Sequence, residues 1–128
     1  MSLEPGTAEA KLRLSTADSE DATRLSHMVE LMELAALRLM KPRLREGECS
    51  TSISMNVTYA ARTVVGGAVR AVAGYAGVSG RLHRFTVHVF DESGLIGSCE
   101  HTRAVALERR LLAMARRRGG RPSLRLSV

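Results

Sequence analysis

An α+β fold, with one curved antiparallel sheet wrapped around a central buried helix, is predicted for these 128 residues by three features. A stretch from Arg24 to Met40 is apolar on nearly every side. Four runs from Ser52 onward have strand character and are separated by short glycine-bearing breaks. One shorter alternating run precedes the helix. A helix without a polar face has to be enclosed, and in a chain this short the enclosing surface is a sheet.

Each element follows from its residues. Residues 1–8 read as a loose leader, and Ala10, Leu12 and Leu14 alternate with Lys11 and Arg13 as a short strand. Ser15 to Asp21 is a polar loop. The helix takes Thr23 or Ser26 as its cap and ends at Lys41-Pro42. From Ser52 to Tyr59, Ile53, Met55, Val57 and Tyr59 share one face and Ser52, Ser54, Asn56 and Thr58 the other. Gly66-Gly67 breaks the chain before a long strand of small residues from Ala68 to Val78, turned by Ser79-Gly80. Arg81 to Phe90 follows, with His83, Phe85, Val87 and Val89 on one face, and then the hairpin turn Asp91-Glu92-Ser93-Gly94. Leu95 to Leu107 is the last strand. Glu108 to Arg118 is helical, with Leu111, Leu112 and Met114 as its apolar stripe, and Gly119-Gly120 stops it before a tail expected to be disordered. A helix enclosed by a four-stranded meander and one earlier strand is the hot-dog arrangement. It places the domain at 9–108, with a basic C-terminal helix and tail at 109–128.

The net charge of +6 suggests nucleic acid until it is divided along the chain. Seven of the 19 basic residues follow Glu108 with no acid among them, leaving 12 bases against 13 acids before that point. The basicity therefore belongs to the tail, which is suited to solvation or to anionic partners such as RNA, membrane or the phosphates of coenzyme A. Two Phe, two Tyr and no Trp offer little for base stacking, so a nucleic-acid module is disfavoured. No apolar run approaches membrane-spanning length. The first residues lack the basic region and apolar block of a secretory signal. Cys49 and Cys99 make no disulfide framework, and the spacing of His and Cys gives no zinc pattern. The expectation is a cytoplasmic protein without a metal or cofactor.

Glu33 is the candidate that the pattern itself selects. Its helical neighbours are Val29, Ala36, Leu37 and Met40, among which a carboxylate is costly unless paired or protonated. Burial there would raise its pKa and poise it as a base. The alternative is a glutamate at the helix edge reaching solvent or a backbone amide. Glu30, one turn earlier, is the competing acid and faces water. His27, His83 and His88 fit no motif, and neither cysteine has a catalytic His context.

Three segments together resemble the fluoroacetyl-CoA thioesterase branch of the hot-dog thioesterases. They are Met28 to Ala35 with Met40-Lys41-Pro42 and Gly47-Glu48, then Val57 to Gly66, then Asp91 to Gly97 with His101 to Val105. The resemblance implies a homodimer, with a tetramer as the open alternative. It also implies a site at the dimer interface and an acyl group on coenzyme A or an acyl-carrier protein as substrate. On matching positions it makes Glu33 the helix acid and gives Tyr59 the place of a histidine that helps activate the attacking species. Thr63 and Gly66 keep the motif, and Arg103 matches an arginine on the last strand. Arg62 stands among residues usually small or proline, where it reaches coenzyme A phosphates or is only solvated. Leu25 stands where the fluoroacetyl-specific branch has a threonine. A phenol, with an ordinary pKa of about 10, orients water or donates to a carbonyl rather than accepting a proton near neutrality. Two functions follow: hydrolysis of an acyl thioester, or a non-hydrolytic protein that binds or transforms one.

Overall fold

The computed structural model describes residues 6–13, 21–62 and 67–119. Its elements are β1 (Thr7–Arg13), α1 (Asp21–Met40), a 3-10 turn (Lys41–Arg43), β2 (Glu48–Tyr59), β3 (Ala68–Ser79), β4 (Leu82–Asp91), β5 (Gly94–Leu107) and α2 (Glu108–Arg117). The strands form one antiparallel sheet in the order β1-β3-β4-β5-β2. The two edge strands are thus the first two in sequence, separated by the helix that the sheet cradles.

The core lies between α1 and one face of the sheet. Met28, Leu31, Met32, Ala35, Ala36, Leu39 and Met40 recur at helical spacing and are buried against Ala10, Val69, Ala71, Ala73, Phe85, Val87 and Val89. The small residues of β3 let the helix approach closely. Gly97 of β5 does the same on the other side, since a Cβ there would stand 2.6 Å from Met28 Sδ and 3.2 Å from Thr58 O. Gly97→Val is therefore expected to cost about 1–3 kcal/mol through overpacking. A lower urea midpoint at unchanged slope would show it, and an unchanged midpoint would mean that Met28 simply swings away.

Several boundaries differ from the sequence expectation. Thr7 and Ala8, placed by pattern in the leader, are strand residues paired with Gly74 and Ala73. The helix starts at Asp21, so Thr23 and Ser26 lie inside its first turns and neither is its cap. It is not enclosed on all sides, because Leu25, Leu34 and Leu37 are exposed: one sheet covers one side of a helix, and α2 packs on β5 instead. β2 begins at Glu48 and carries a bulge, with Ser52 opposite Arg103 and Ser54 opposite Thr102. Ile53 is the extra residue and is 55% exposed, so it does not share the inner face with Met55, Val57 and Tyr59. The tail expected to be disordered lies outside the described residues.

Turn chemistry closes the meander. Asp91 Oδ1 accepts the backbone N–H of Ser93 at 2.8 Å and of Gly94 at 3.0 Å, and Gly94 takes a φ of +135°. Met40 ends α1 where Pro42 enters the 3-10 turn. Arg38 Nη1 donates to Glu9 O at 2.7 Å and fastens the helix to β1.

Candidate active site

The bulge in β2 changes what the inner face of the sheet carries. Between the bulge and the C-terminal end of β2 that face is apolar, with Met55, Val57 and Tyr59. Before the bulge, Ser52 and Ser50 occupy it, opposite Arg103 and Val105. On β5 the same face reads Cys99, His101, Arg103, all buried. A charged side chain in a buried row needs partners, and Arg103 has four. Its Nε donates to Ser50 Oγ at 2.9 Å and its Nη2 to Ser50 O at 3.1 Å. Its Nη1 donates to Glu33 Oε1 and to His101 Nε2, both at 3.2 Å.

These contacts fix the histidine. A guanidinium only donates, so Nε2 of His101 is the acceptor and the ring proton sits on Nδ1, which donates to Ser54 O at 3.0 Å. The ring is neutral. Its pKa lies below the ordinary 6.5, chiefly because burial disfavours the imidazolium, with the Arg103 charge adding to the effect and the Ser54 carbonyl and Glu33 opposing it. The unfolded chain protonates this group near pH 6.5 and the folded chain only at lower pH. Between those values the unfolded state binds more protons. Stability from this group is thus complete above about pH 6.5 and lost as the pH falls through the folded value. The urea midpoint should drop between pH 7 and pH 5, and His101→Gln should shrink that drop; an equal drop in the variant would clear His101 of it.

Glu33 is reached from the helix. Its neighbour Ala36 is buried and Val29 and Leu37 are at least partly exposed, so the side chain sits at the rim, 42% exposed. The deep apolar burial on which its reading as a raised-pKa base rested is absent, and the carboxylate is instead paired with Arg103. Its second oxygen, Oε2, has no partner among the described residues. Glu30 is exposed.

Tyr59 lies elsewhere on the same face. It ends β2 opposite Gly97, half-buried against the core, and its hydroxyl has no hydrogen bond among the described residues. Ala60 and Ala61 both donate to Ile96 O just beyond it. Gly97 and Arg103 are six residues apart on β5, about 20 Å along a strand. A single chain therefore groups Glu33 with Arg103, His101 and Ser50, and leaves Tyr59 apart. Arg62 is exposed, and Thr63 and Gly66 lie outside the described residues. Ser50 had no signal in the sequence. Cys99 is buried, its thiol pushed up to about 11 by burial and then by Glu100, which makes it a poor nucleophile. Among the described residues no group of His, Cys, Asp and Glu is arranged to hold a metal, and no helix is long and apolar enough to cross a membrane.

Residues 10–108 match the family described as fluoroacetyl-CoA-specific thioesterase. A curated relative, the fluoroacetyl-CoA thioesterase of Streptantibioticus cattleyicolor, is 41% identical over 78 residues, which is 61% of this chain and 56% of that protein. Among solved structures, a mutant of the fluoroacetyl-CoA-specific thioesterase superposes with a TM-score of 0.76 at 28% identity, covering 88% of this chain and 93% of that one. A Thermus thermophilus thioesterase superfamily member superposes at 0.82 and 23% identity, covering 92% and 96%, and supports the fold alone.

Proposed function

Because the chain belongs to the fluoroacetyl-CoA-specific thioesterase family, we propose that it hydrolyses an acyl thioester carried on coenzyme A or an acyl-carrier protein. The observation that carries the reading is the Glu33 carboxylate. Arg103 holds one of its oxygens at 3.2 Å, while the other has no hydrogen-bond partner among the described residues and the side chain is 42% exposed. Such a group positions a water and takes its proton as the water oxygen bonds to the thioester carbonyl carbon. The carbon–sulfur bond then breaks, the thiolate leaves and is protonated, and a carboxylic acid and a thiol result. Tyr59 serves as a hydrogen-bond donor to the carbonyl oxygen or as an orienter of the water. A backbone N–H near the start of α1 supports the developing oxyanion. Arg62, Thr63 and Gly66 belong to the binding side of this proposal.

The separation of Tyr59 from Glu33 within one chain favours a site completed by a second copy. β2 is a sheet edge, and Leu34 and Leu37 are exposed on the helix. An edge strand and an exposed apolar row are the features that pairing would cover. A solution mass of twice 13.9 kDa in light scattering would support it, and a monomer at working concentration would count against it. We place the protein in the cytoplasm.

The second reading, a hot-dog protein that binds a thioester without cleaving it, rests on Tyr59, which the sequence resemblance sets in the place of a histidine. Free-thiol release from short, aromatic and long acyl-CoAs separates the two. Release above the uncatalysed rate supports hydrolysis, and the preferred chain names the substrate class. Thermal stabilisation by an acyl-CoA without thiol release supports binding alone. If Tyr59 donates to the reacting group, Tyr59→Phe lowers kcat about tenfold, the worth of one hydrogen bond, with the urea midpoint unchanged. An unchanged kcat would make it a packing residue.

A further inference from the structure

Arg103 divides one of its nitrogens between two neighbours. Its Nε and Nη2 are taken by Ser50, while Nη1 donates to Glu33 Oε1 and to His101 Nε2, each at 3.2 Å. A guanidinium is planar and its N–H groups point in fixed directions. The acceptor that takes one hydrogen of Nη1 therefore fixes where the other points, and that other hydrogen holds Glu33. Among the described residues Arg103 is the only partner of the Glu33 side chain, which sits at the rim without a wall to hold it.

His101 is itself firmly held. It is 1% exposed, and its Nδ1 donates to Ser54 O at 3.0 Å. The ring of Phe85, its partner across β4 and β5, lies 6.3 Å away between centres. Each element around the ring offers few polar groups. The charges that act on it are Arg103 from β5 and Glu33 from α1. β2 presents Met55 and the Ser54 carbonyl, and β4 presents Phe85, with His83 two residues earlier on the same face. Cys99 stands two residues before His101 on β5. An apolar side chain would fill the space between Phe85 and Met55 but would leave Nη1 a buried hydrogen without an acceptor. A carboxylate would accept it but would compete with Glu33 for the guanidinium charge. A neutral imidazole accepts the hydrogen and leaves the charge to Glu33.

We infer that His101 is a positioning residue for the thioester chemistry: in its neutral form it aims Arg103 Nη1 at Glu33 Oε1 and so turns Oε2 of that carboxylate toward the reacting water. The inference rests on the reading of Glu33 as the group that takes the proton of the water. Protonation of the ring would set an N–H on Nε2 against an N–H on Nη1, two positive donors with no acceptor between them. The ring or the guanidinium then turns away, and Glu33 loses its anchor. Burial holds the pKa of the ring below 6.5, so the anchor is intact at neutral pH and is lost only as the pH falls through that lower value.

Thiol release by the full chain tests this from pH 8 down to pH 5, with whichever of the short, aromatic and long acyl-CoAs is cleaved fastest. His101→Leu is expected to lower kcat at pH 8 about tenfold, the worth of one hydrogen bond, with KM within about twofold. Gln accepts from Nη1 and donates to Ser54 O but does not titrate. His101→Gln should therefore lose less, about threefold, and the acid limb of its kcat should move to lower pH. Whatever Glu33 itself contributes to that limb is common to both proteins. In a Glu33→Gln background His101→Leu should change kcat by less than about twofold, because the group it aims is gone. A merely structural histidine would lower activity in both backgrounds and leave the acid limb in place. Urea midpoints at each pH show which variants are folded, and His101→Gln carries the test if the leucine variant is not. An unmoved acid limb in His101→Gln, or parental kcat in His101→Leu, overturns the inference while a slow Glu33→Gln leaves the reading of Glu33 standing. Parental turnover by Glu33→Gln, or no release from any acyl-CoA, is a different result: it removes that reading and with it anything for His101 to aim.

Discussion

Glu33→Gln is expected to lower the rate of thiol release by about two to four orders of magnitude while barely moving stability. Gln keeps an oxygen at the position of Oε1, so Arg103 Nη1 retains an acceptor. What it removes is the capacity to take a proton from water. The carboxylate is 42% exposed, and solvent already screens its attraction to the guanidinium. The stability cost is thus about 1 kcal/mol or less. The decisive quantity is the contrast between a large fall in kcat and a nearly constant urea midpoint. A variant that turns over within twofold of the parent would remove Glu33 from the chemistry and leave it as one end of an ion pair.

Arg103→Met should do the reverse in emphasis and strike the fold itself. The guanidinium is the donor to Ser50 Oγ, Ser50 O, His101 Nε2 and Glu33 Oε1, and its side chain is only 5% exposed. Methionine fills a similar volume and donates nothing. Three acceptors on the sheet face then lose their donor where little water reaches, and His101 is left polar and buried. Removing one member of such a buried group costs about 3–5 kcal/mol, which corresponds to a fall in Tm of roughly 10–20 °C for a domain of this size. Arg103→Lys should fall between, because an ammonium keeps the charge but cannot span all four acceptors. A loss below about 1 kcal/mol in the methionine variant would contradict the account of a buried guanidinium that makes four hydrogen bonds.

The sequence carried the sheet and the helix well, and their reasons are periodic, whereas Glu33, read as buried among apolar neighbours, lies 42% exposed at the rim. Apolar residues marked the extent of α1, and alternation in β4 correctly placed His83, Phe85, Val87 and Val89 on one face. The reading failed where periodicity was interrupted. Ile53 continues the alternation of its strand on paper, yet it is the inserted residue of a bulge. Ser50 was invisible because a serine in a strand has no preferred face, and the bulge that follows assigns it one. Arg103 and His101 did leave a sign: both stand in the same alternating row as the buried Cys99. A charge in that row announces a partner but cannot name it, since Glu33 lies 70 residues earlier and meets Arg103 only after folding. The exposed leucines of α1 mark another limit, because an apolar pattern states that a surface avoids water and not which molecule covers it.

The bulge at Ile53 has a consequence for how such a protein diverges. Point substitutions change what a position carries, but they cannot exchange the two sides of a strand. One inserted residue does, for every position before it at once, and here it brings Ser50 to the face that carries Arg103 without altering the apolar stretch from Met55 to Tyr59. The dry half of the sheet and the half that holds the arginine are therefore independent drafts written on one strand. A change of length at residue 53 revises the second while leaving the first as it was.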